Sequence, residues 1–165
     1  VFPGLQGGPH NATTAGIAVA LGEAMRPEFR TYAKNICANA KVLAGELVAR
    51  GFNLVSGGTD NHLMLIDLTN KGVTGKEMAV ALEKAGIVLN YNTVPGETRK
   101  ASDPSGIRLG TPSVTSRGFG PEEMKKIAAW MDAVAGKIGD EAFLAKTCKE
   151  VEAVCAKFPV PGIDF

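Results

Sequence analysis

The sequence predicts a two-layer α/β domain in which a small sheet carries helices on one face. Several segments repeat apolar residues at helical spacing, and four short apolar runs bounded by turn residues are typical of strands. The helices are amphipathic rather than apolar all round, which favours packing on a single sheet face. A length of 165 residues suits one domain, so the other face of the sheet needs cover from elsewhere.

Residues 11–50 have a helical pattern interrupted at Pro27, which predicts two helices or one kinked helix. Gly51 supplies the left-handed stop expected after a helix. The apolar stretch Ala15–Met25 contains Glu23 and is shorter than the roughly 20 residues that span a bilayer. We therefore expect it to form a buried helix.

The middle of the chain predicts strands around one capped helix. FNLV (52–55) and HLMLIDL (62–68) are the first two strands, and the second is apolar enough to be central. Thr74 and Glu77 form a T-x-x-E capping box for a helix that Gly86 ends. IVL (87–89) predicts a further short strand.

Residues 90–106 have no periodic apolar face and contain several helix and strand breakers, so they predict a long loop. Long ordered loops are commonly functional. IRLG (107–110) predicts the last strand, Pro121 opens a helix, and a final helix begins near Asp140.

Composition argues against several function classes. The formal net charge is +1 with both signs interspersed, which gives no field to attract nucleic acid or an anionic membrane. Cys37, Cys148 and Cys155 form no C-x-x-C pair and are typical of core thiols in a reducing compartment. His10 and His62 are far apart, so the sequence gives little support for a metal site.

Gly7 and Gly8 precede the first predicted helix. Their backbone N–H groups could approach an anion at the helix N-terminus. Glycine turns before helices are also common, so a plain turn is the alternative.

Strand alternation places Ile107 and Leu109 on one face and Arg108 on the other, away from the helices. A guanidinium there is suited to hold a carboxylate through two parallel hydrogen bonds, although a solvated surface arginine is the alternative. Asn90 and Asn92 begin the long loop, where amides could read a heterocycle edge or simply form a turn.

These motifs together resemble the serine hydroxymethyltransferase (glycine hydroxymethyltransferase) family. The segments that carry the resemblance follow the family's order along nearly all of the chain: VFPGLQGGPH (1–10), SGGTDNHL (56–63), TGKE (74–77), N-x-N-x-V-P (90–95), SGIRLGTP (105–112) and TSRG (115–118).

The resemblance implies the small C-terminal domain of a fold-type-I enzyme that uses pyridoxal 5'-phosphate: a small, mostly antiparallel sheet with helices on one face. Residues 1–27 would belong to the large-domain side and residues 28–165 to the small domain. The family's T-T-T-H-K run with the cofactor-binding lysine is missing. Val1 would then be an internal residue of a longer homodimeric enzyme, and this part alone would be inactive.

The family further implies a cytoplasmic transferase of one-carbon metabolism that interconverts serine and glycine with tetrahydrofolate. Gly7 and Gly8 would approach the phosphate of pyridoxal phosphate from the neighbouring subunit. Arg108 would bind the amino-acid carboxylate, and Asn92 would contact the pteridine ring of the folate. No catalytic residue and no metal ligand is assigned to this part of the chain.

Two alternatives stay open on the sequence alone. A free-standing ligand-binding or assembly domain without catalysis would explain the missing lysine. The small domain of a different fold-type-I enzyme would share the architecture, because a fold does not determine a reaction.

Overall fold

A computed structural model describes residues 1–162. It contains two compact units, Val1–Lys34 and a second that starts at Asn35. The break between them falls inside one continuous helix.

The first unit begins with a turn in which Leu5 N donates to Val1 O (2.6 Å). Helix α1 follows at Asn11–Ala24, and helix α2 at Pro27–Ala49 continues into the second unit. The predicted break at Pro27 is confirmed. The prediction that Ala15–Met25 is buried is wrong for this chain: α1 has no buried residue, and Leu21 is 62% exposed.

The second unit contains a four-stranded antiparallel sheet. Its strands are β1 (Asn53–Leu54), β2 (Leu63–Asp67), β3 (Asn90–Asn92) and β4 (Gly106–Gly110), in the spatial order β1-β2-β4-β3. The longest strands, β2 and β4, lie in the centre. The predicted α/β class and antiparallel sheet are confirmed.

Four further helices complete this unit. They are α3 (Gly75–Lys84), α4 (Pro112–Ser116), α5 (Pro121–Ala135) and α6 (Glu141–Cys155), and a 3₁₀ turn occupies Thr69–Lys71. The capping box of α3 is present in full: Glu77 N donates to Thr74 Oγ1 (3.1 Å) and Thr74 N to Glu77 Oε2 (2.8 Å). Asp140 caps α6 by accepting from Phe143 N.

The core lies on one face of the sheet. Ile66 and Ile107 are paired across β2 and β4 and are fully buried, and Leu54 is paired with Ile66. Helices bury their apolar sides on this face through Leu43, Leu47, Met78, Leu82, Met124, Met131 and Leu144. Because alternate strand residues point to opposite faces, the strand residues that come between these buried ones project their side chains away from the core.

One predicted strand lies at a different position in the structure. IVL (87–89) has no strand structure, and β3 lies at residues 90–92, inside the predicted loop. Antiparallel pairing with β4 sets this position, since Tyr91 lies opposite Ile107. Val88 is instead 82% exposed. Helix α4 was not predicted because five residues are too few to display helical periodicity.

Candidate functional site

The sheet face opposite the core brings Arg108 beside Asn90. In the register of the sheet, Leu65 on β2, Arg108 on β4 and Asn90 on β3 form one row. Side chains that are directly opposite on antiparallel strands lie about 5 Å apart at Cβ. The row therefore places a guanidinium and an amide together on the face that the helices leave open.

Arg108 is exposed, whereas its neighbour Ile107 is fully buried on the core side. Among the described residues, no carboxylate pairs with Arg108 and no group accepts a hydrogen bond from its side chain. A guanidinium presents five N–H donors in a planar fork that matches a carboxylate. The side chain is thus available for an anionic ligand.

Asn92 occupies the adjacent row, opposite Gly106, which in turn is opposite Asp67. Asn92 is half-buried, and its Nδ2 donates to Thr93 O (2.7 Å). Asp67 Oδ1 accepts from Thr69 N and Thr69 Oγ1, so this carboxylate is occupied locally. Arg108, Asn90 and Asn92 therefore share one face in two neighbouring rows.

The loop that joins β3 to β4 is organised by the carboxylate of Glu97. Glu97 accepts from Ser105 N (2.8 Å), from Ser105 Oγ (2.9 Å) and from Arg99 N (2.9 Å). These donors, the Ser105 amide first, lower the pKa of Glu97 from 4.5 to about 2. The carboxylate therefore ties the start of the loop to the residue that precedes β4.

Asp103 closes the other half of the loop. Its carboxylate pairs with Arg99, and Arg99 Nε also donates to Asp103 O (2.9 Å). The pKa of Asp103 is lowered, first by a hydrogen bond from the Thr74 side chain and then by Arg99. Glu97 and Asp103 thus order the second half of this long loop, and long ordered loops are commonly functional.

Two glycines allow the loop, helix α3 and the sheet to approach closely. A Cβ at Gly75 would lie 2.0 Å from Gly106 O, and one at Gly106 would lie 2.5 Å from Val94 Cγ1. Gly75 N also donates to Pro104 O (2.8 Å). The backbone beside Arg108 therefore depends on glycine at both positions.

A buried polar cluster supports the end of the arginine strand. Thr111 is fully buried and its Oγ1 donates to Ile36 O (2.8 Å). Asn39, which is 3% exposed, donates from Nδ2 to Thr115 Oγ1 (3.0 Å) and Phe119 O (2.9 Å). These bonds attach helix α2 to the segment that directly follows β4.

Gly7 and Gly8 lie in the first unit and are exposed. A Cβ at either position would have no heavy atom within 4 Å. Helix α1 begins at Asn11, after His10, which makes no side-chain capping bond. The space that a side chain would occupy at either glycine is therefore open within the described chain.

The sequence indicates Arg108 and the two asparagines as candidates, but not the groups that hold them in place. Glu97 carried no signal, because P-G-E-T has the composition of an ordinary turn. Asn39 carried a weak signal, as a polar residue among apolar positions of α2.

In residues 1–162, no three His, Cys, Asp or Glu side chains are grouped to bind a metal, and no helix is long and apolar enough to cross a membrane.

Comparison with known proteins decides the family. A family model described as serine hydroxymethyltransferase matches residues 1–131. The chain belongs to the serine hydroxymethyltransferase family. A serine hydroxymethyltransferase of Acidothermus cellulolyticus is 66% identical over 99% of the chain and 40% of its own length.

Other serine hydroxymethyltransferases give the same result. The protein of Sorangium cellulosum is 59% identical and that of Desulfotalea psychrophila 57% identical, each over 99% of the chain. The match covers 38% of the first and 39% of the second. The chain thus spans about 40% of the length of the curated serine hydroxymethyltransferases that it matches.

Proposed function

We propose that this chain is the C-terminal part of a pyridoxal-phosphate-dependent enzyme that interconverts serine and glycine with one-carbon transfer to tetrahydrofolate. The observation that carries the proposal is Arg108, exposed and unpaired within the described chain, on the open face of a serine hydroxymethyltransferase sheet. The missing lysine run implies that the chemistry needs residues from outside these 165 positions.

Arg108 would bind the carboxylate of the amino acid. Two parallel charge-assisted hydrogen bonds from one guanidinium fix both the position and the orientation of a carboxylate. Orientation matters because a small misplacement of the reacting atoms costs much of the rate. Arg108 would therefore act mainly by positioning the substrate, and the pairing of β4 on both sides and the Asn39 cluster support that role.

Asn92 would contact the pteridine ring of the folate. Its amide both donates and accepts, as the edge of a heterocycle requires. The amide nitrogen donates to Thr93 O. Contact with the ring would therefore use the amide oxygen, or would replace this bond. The anchored loop that follows Asn92 limits how far the residue can move.

The diglycine segment fits the phosphate of pyridoxal phosphate. A Cβ at Gly7 or Gly8 would have no heavy atom within 4 Å, and the N-terminus of α1, which lacks a side-chain cap, favours negative charge. These backbone groups would approach the phosphate from the neighbouring subunit of a homodimer. When bound, pyridoxal phosphate supplies the electron-withdrawing ring that activates the amino acid at Cα.

The remaining domain assignments are part of the same proposal. Residues 28–165 would be the small domain of a fold-type-I enzyme, and residues 1–27 would belong to its large-domain side. The large domain would cover the open face of the sheet. The 165-residue chain alone would then lack activity, and the complete enzyme would work as a cytoplasmic homodimer.

A chimeric enzyme tests this function. This chain would replace the matching 40% of the Acidothermus cellulolyticus serine hydroxymethyltransferase, with the rest of that protein unchanged. We expect the chimera to convert serine to glycine when tetrahydrofolate is supplied. Arg108→Met should raise the KM for serine at least about tenfold, because a charge-assisted pair is lost, while the absorbance of bound cofactor stays the same.

Lys146→Met on the exposed side of α6 is the control, since it also removes a surface cation. It should leave the KM for serine unchanged. An unchanged KM in Arg108→Met would remove the carboxylate role of Arg108. A well-folded chimera that binds the cofactor but lacks any response to serine would instead support a non-catalytic module.

A further inference from the structure

A cavity lies on the core side of the sheet, away from the open face. Its volume is about 360 Å³, and it lies between the 86–89 segment, β4 and helices α4, α5 and α6. The walls are mainly apolar: Leu109, Val114, Ile127, Trp130, Val151 and Val154. The volume equals that of about a dozen water molecules in the liquid, which suits a small organic molecule.

One cation lines this apolar cavity. Arg117 is half-buried at the end of α4, where its Nε donates to Phe158 O (2.8 Å) and its Nη2 to Cys155 O (3.0 Å). Among the described residues, no carboxylate forms an ion pair with it. These two bonds use only part of the five N–H donors of a guanidinium.

The two carbonyls explain how Arg117 is held, but within residues 1–162 its charge has no counterion. Cys155 ends helix α6, so the cation also complements the negative end of that helix dipole. A carboxylate would supply the full opposite charge in a partly desolvated place, where a charge-assisted bond is strong. The apolar walls would bury the remainder of such a molecule.

We propose that this cavity is a binding site for a small apolar carboxylate, such as an arylalkanoate or a medium-chain acid. Arg117 binds the carboxylate, and the side chains from α5 and α6 surround the apolar body. The site is separate from the carboxylate site at Arg108, because Leu109 and Arg108 project to opposite faces of β4.

Phenylbutyrate is the probe, since its roughly dozen non-hydrogen atoms fit the cavity. Trp130 is the only tryptophan of the chain and lines the cavity, so its fluorescence reports binding directly. We expect a saturable change on titration of the 165-residue chain. Phenylbutanol, which has the same apolar body without the charge, should bind about tenfold more weakly.

Three variants locate the site. Arg117→Met should weaken phenylbutyrate binding about tenfold and leave phenylbutanol binding nearly unchanged. Val154→Phe should abolish binding of both molecules by filling the cavity. Arg108→Met should leave the affinity for phenylbutyrate as it is, which separates this site from the proposed substrate site.

Thermal unfolding of each variant shows whether it is folded. If Arg117→Met does not fold, the affinities of Val154→Phe and Arg108→Met for phenylbutyrate decide whether the acid binds in this cavity. The proposal is overturned by an unsaturable response to phenylbutyrate, by equal affinities for the acid and the alcohol, or by affinity that survives Val154→Phe. Loss of binding in Arg108→Met would likewise assign the carboxylate to the open face instead.

Discussion

At the scale of single residues, Gly75 shows how one missing methyl group shapes the site. Its N–H donates to Pro104 O, and a Cβ there would lie 2.0 Å from Gly106 O. No real pair of such atoms comes so close, and a backbone carbonyl cannot rotate away as a side chain would. Any larger residue must therefore push α3 away from the start of the Arg108 strand.

We expect Gly75→Ala to lower the free energy of unfolding by about 1–3 kcal/mol, because it overpacks a rigid backbone contact. Gly45→Ala is the matched control: Gly45 lies inside α2 with no atom within 4 Å of an added Cβ, so alanine should raise stability by about 0.5–1 kcal/mol. Urea unfolding measures the change in the free energy of unfolding for both variants. Equal effects of the two substitutions would contradict the close approach.

At the residue scale, the sequence predicts those features whose cause lies in neighbouring residues. The outward position of Arg108 follows from its neighbours Ile107 and Leu109, which the sequence displays directly. The need for glycine at position 75 depends on Gly106, thirty-one positions away along the printed sequence. Only the folded chain brings these two residues together, so no local pattern could indicate it.

At the scale of elements, the loop between β3 and β4 depends on one carboxylate. Glu97 accepts hydrogen bonds from two backbone amides and one hydroxyl, which belong to Arg99 in the middle of the loop and to Ser105 at its end. The ionised form accepts all of these bonds, and the lowered pKa reports how strongly the fold prefers it. The conformation of the loop should therefore respond to acid.

Glu97→Gln should remove part of the acid sensitivity of folding. The pKa of Glu97 is about 2 in the folded chain against an ordinary 4.5, so its stabilising effect is complete above about pH 4.5 and is lost as the pH falls towards 2. The gap in urea midpoint between the original chain and Glu97→Gln should hence narrow over that interval. A gap that stays constant with pH would show that the charge of Glu97 has no part in folding.

Elements with their own signals were predictable, and those set by partners were not. The α3 capping box is a local pattern and lies where the sequence places it. Strand β3 lies three residues later than IVL because pairing with β4 outweighs the apolar run. Helix α1 was predicted to be buried from its apolar residues, but burial depends on a packing partner, which a segment's own composition does not contain.

At the scale of the whole molecule, burial is confined to one stretch of the chain. Each buried residue among those described lies at or after Asn39, and the core is formed by the sheet and the helices around it. Residues 1–26 contribute none of it, although Ile17, Val19 and Leu21 are apolar. Since folding stability arises mainly from buried apolar surface, these first residues should add little to it.

Removal of residues 1–26 tests this directly. The shortened chain, which begins at Pro27, keeps the whole of α2 and every buried residue described. We expect its free energy of unfolding to agree with that of the full chain within about 0.5 kcal/mol, as for surface changes away from the core. The slope of the unfolding free energy against urea concentration should also stay nearly the same, because it is proportional to the surface exposed on unfolding. A loss of several kcal/mol would instead show that the glycine segment and α1 stabilise the domain, and their exposed apolar side chains would need another explanation.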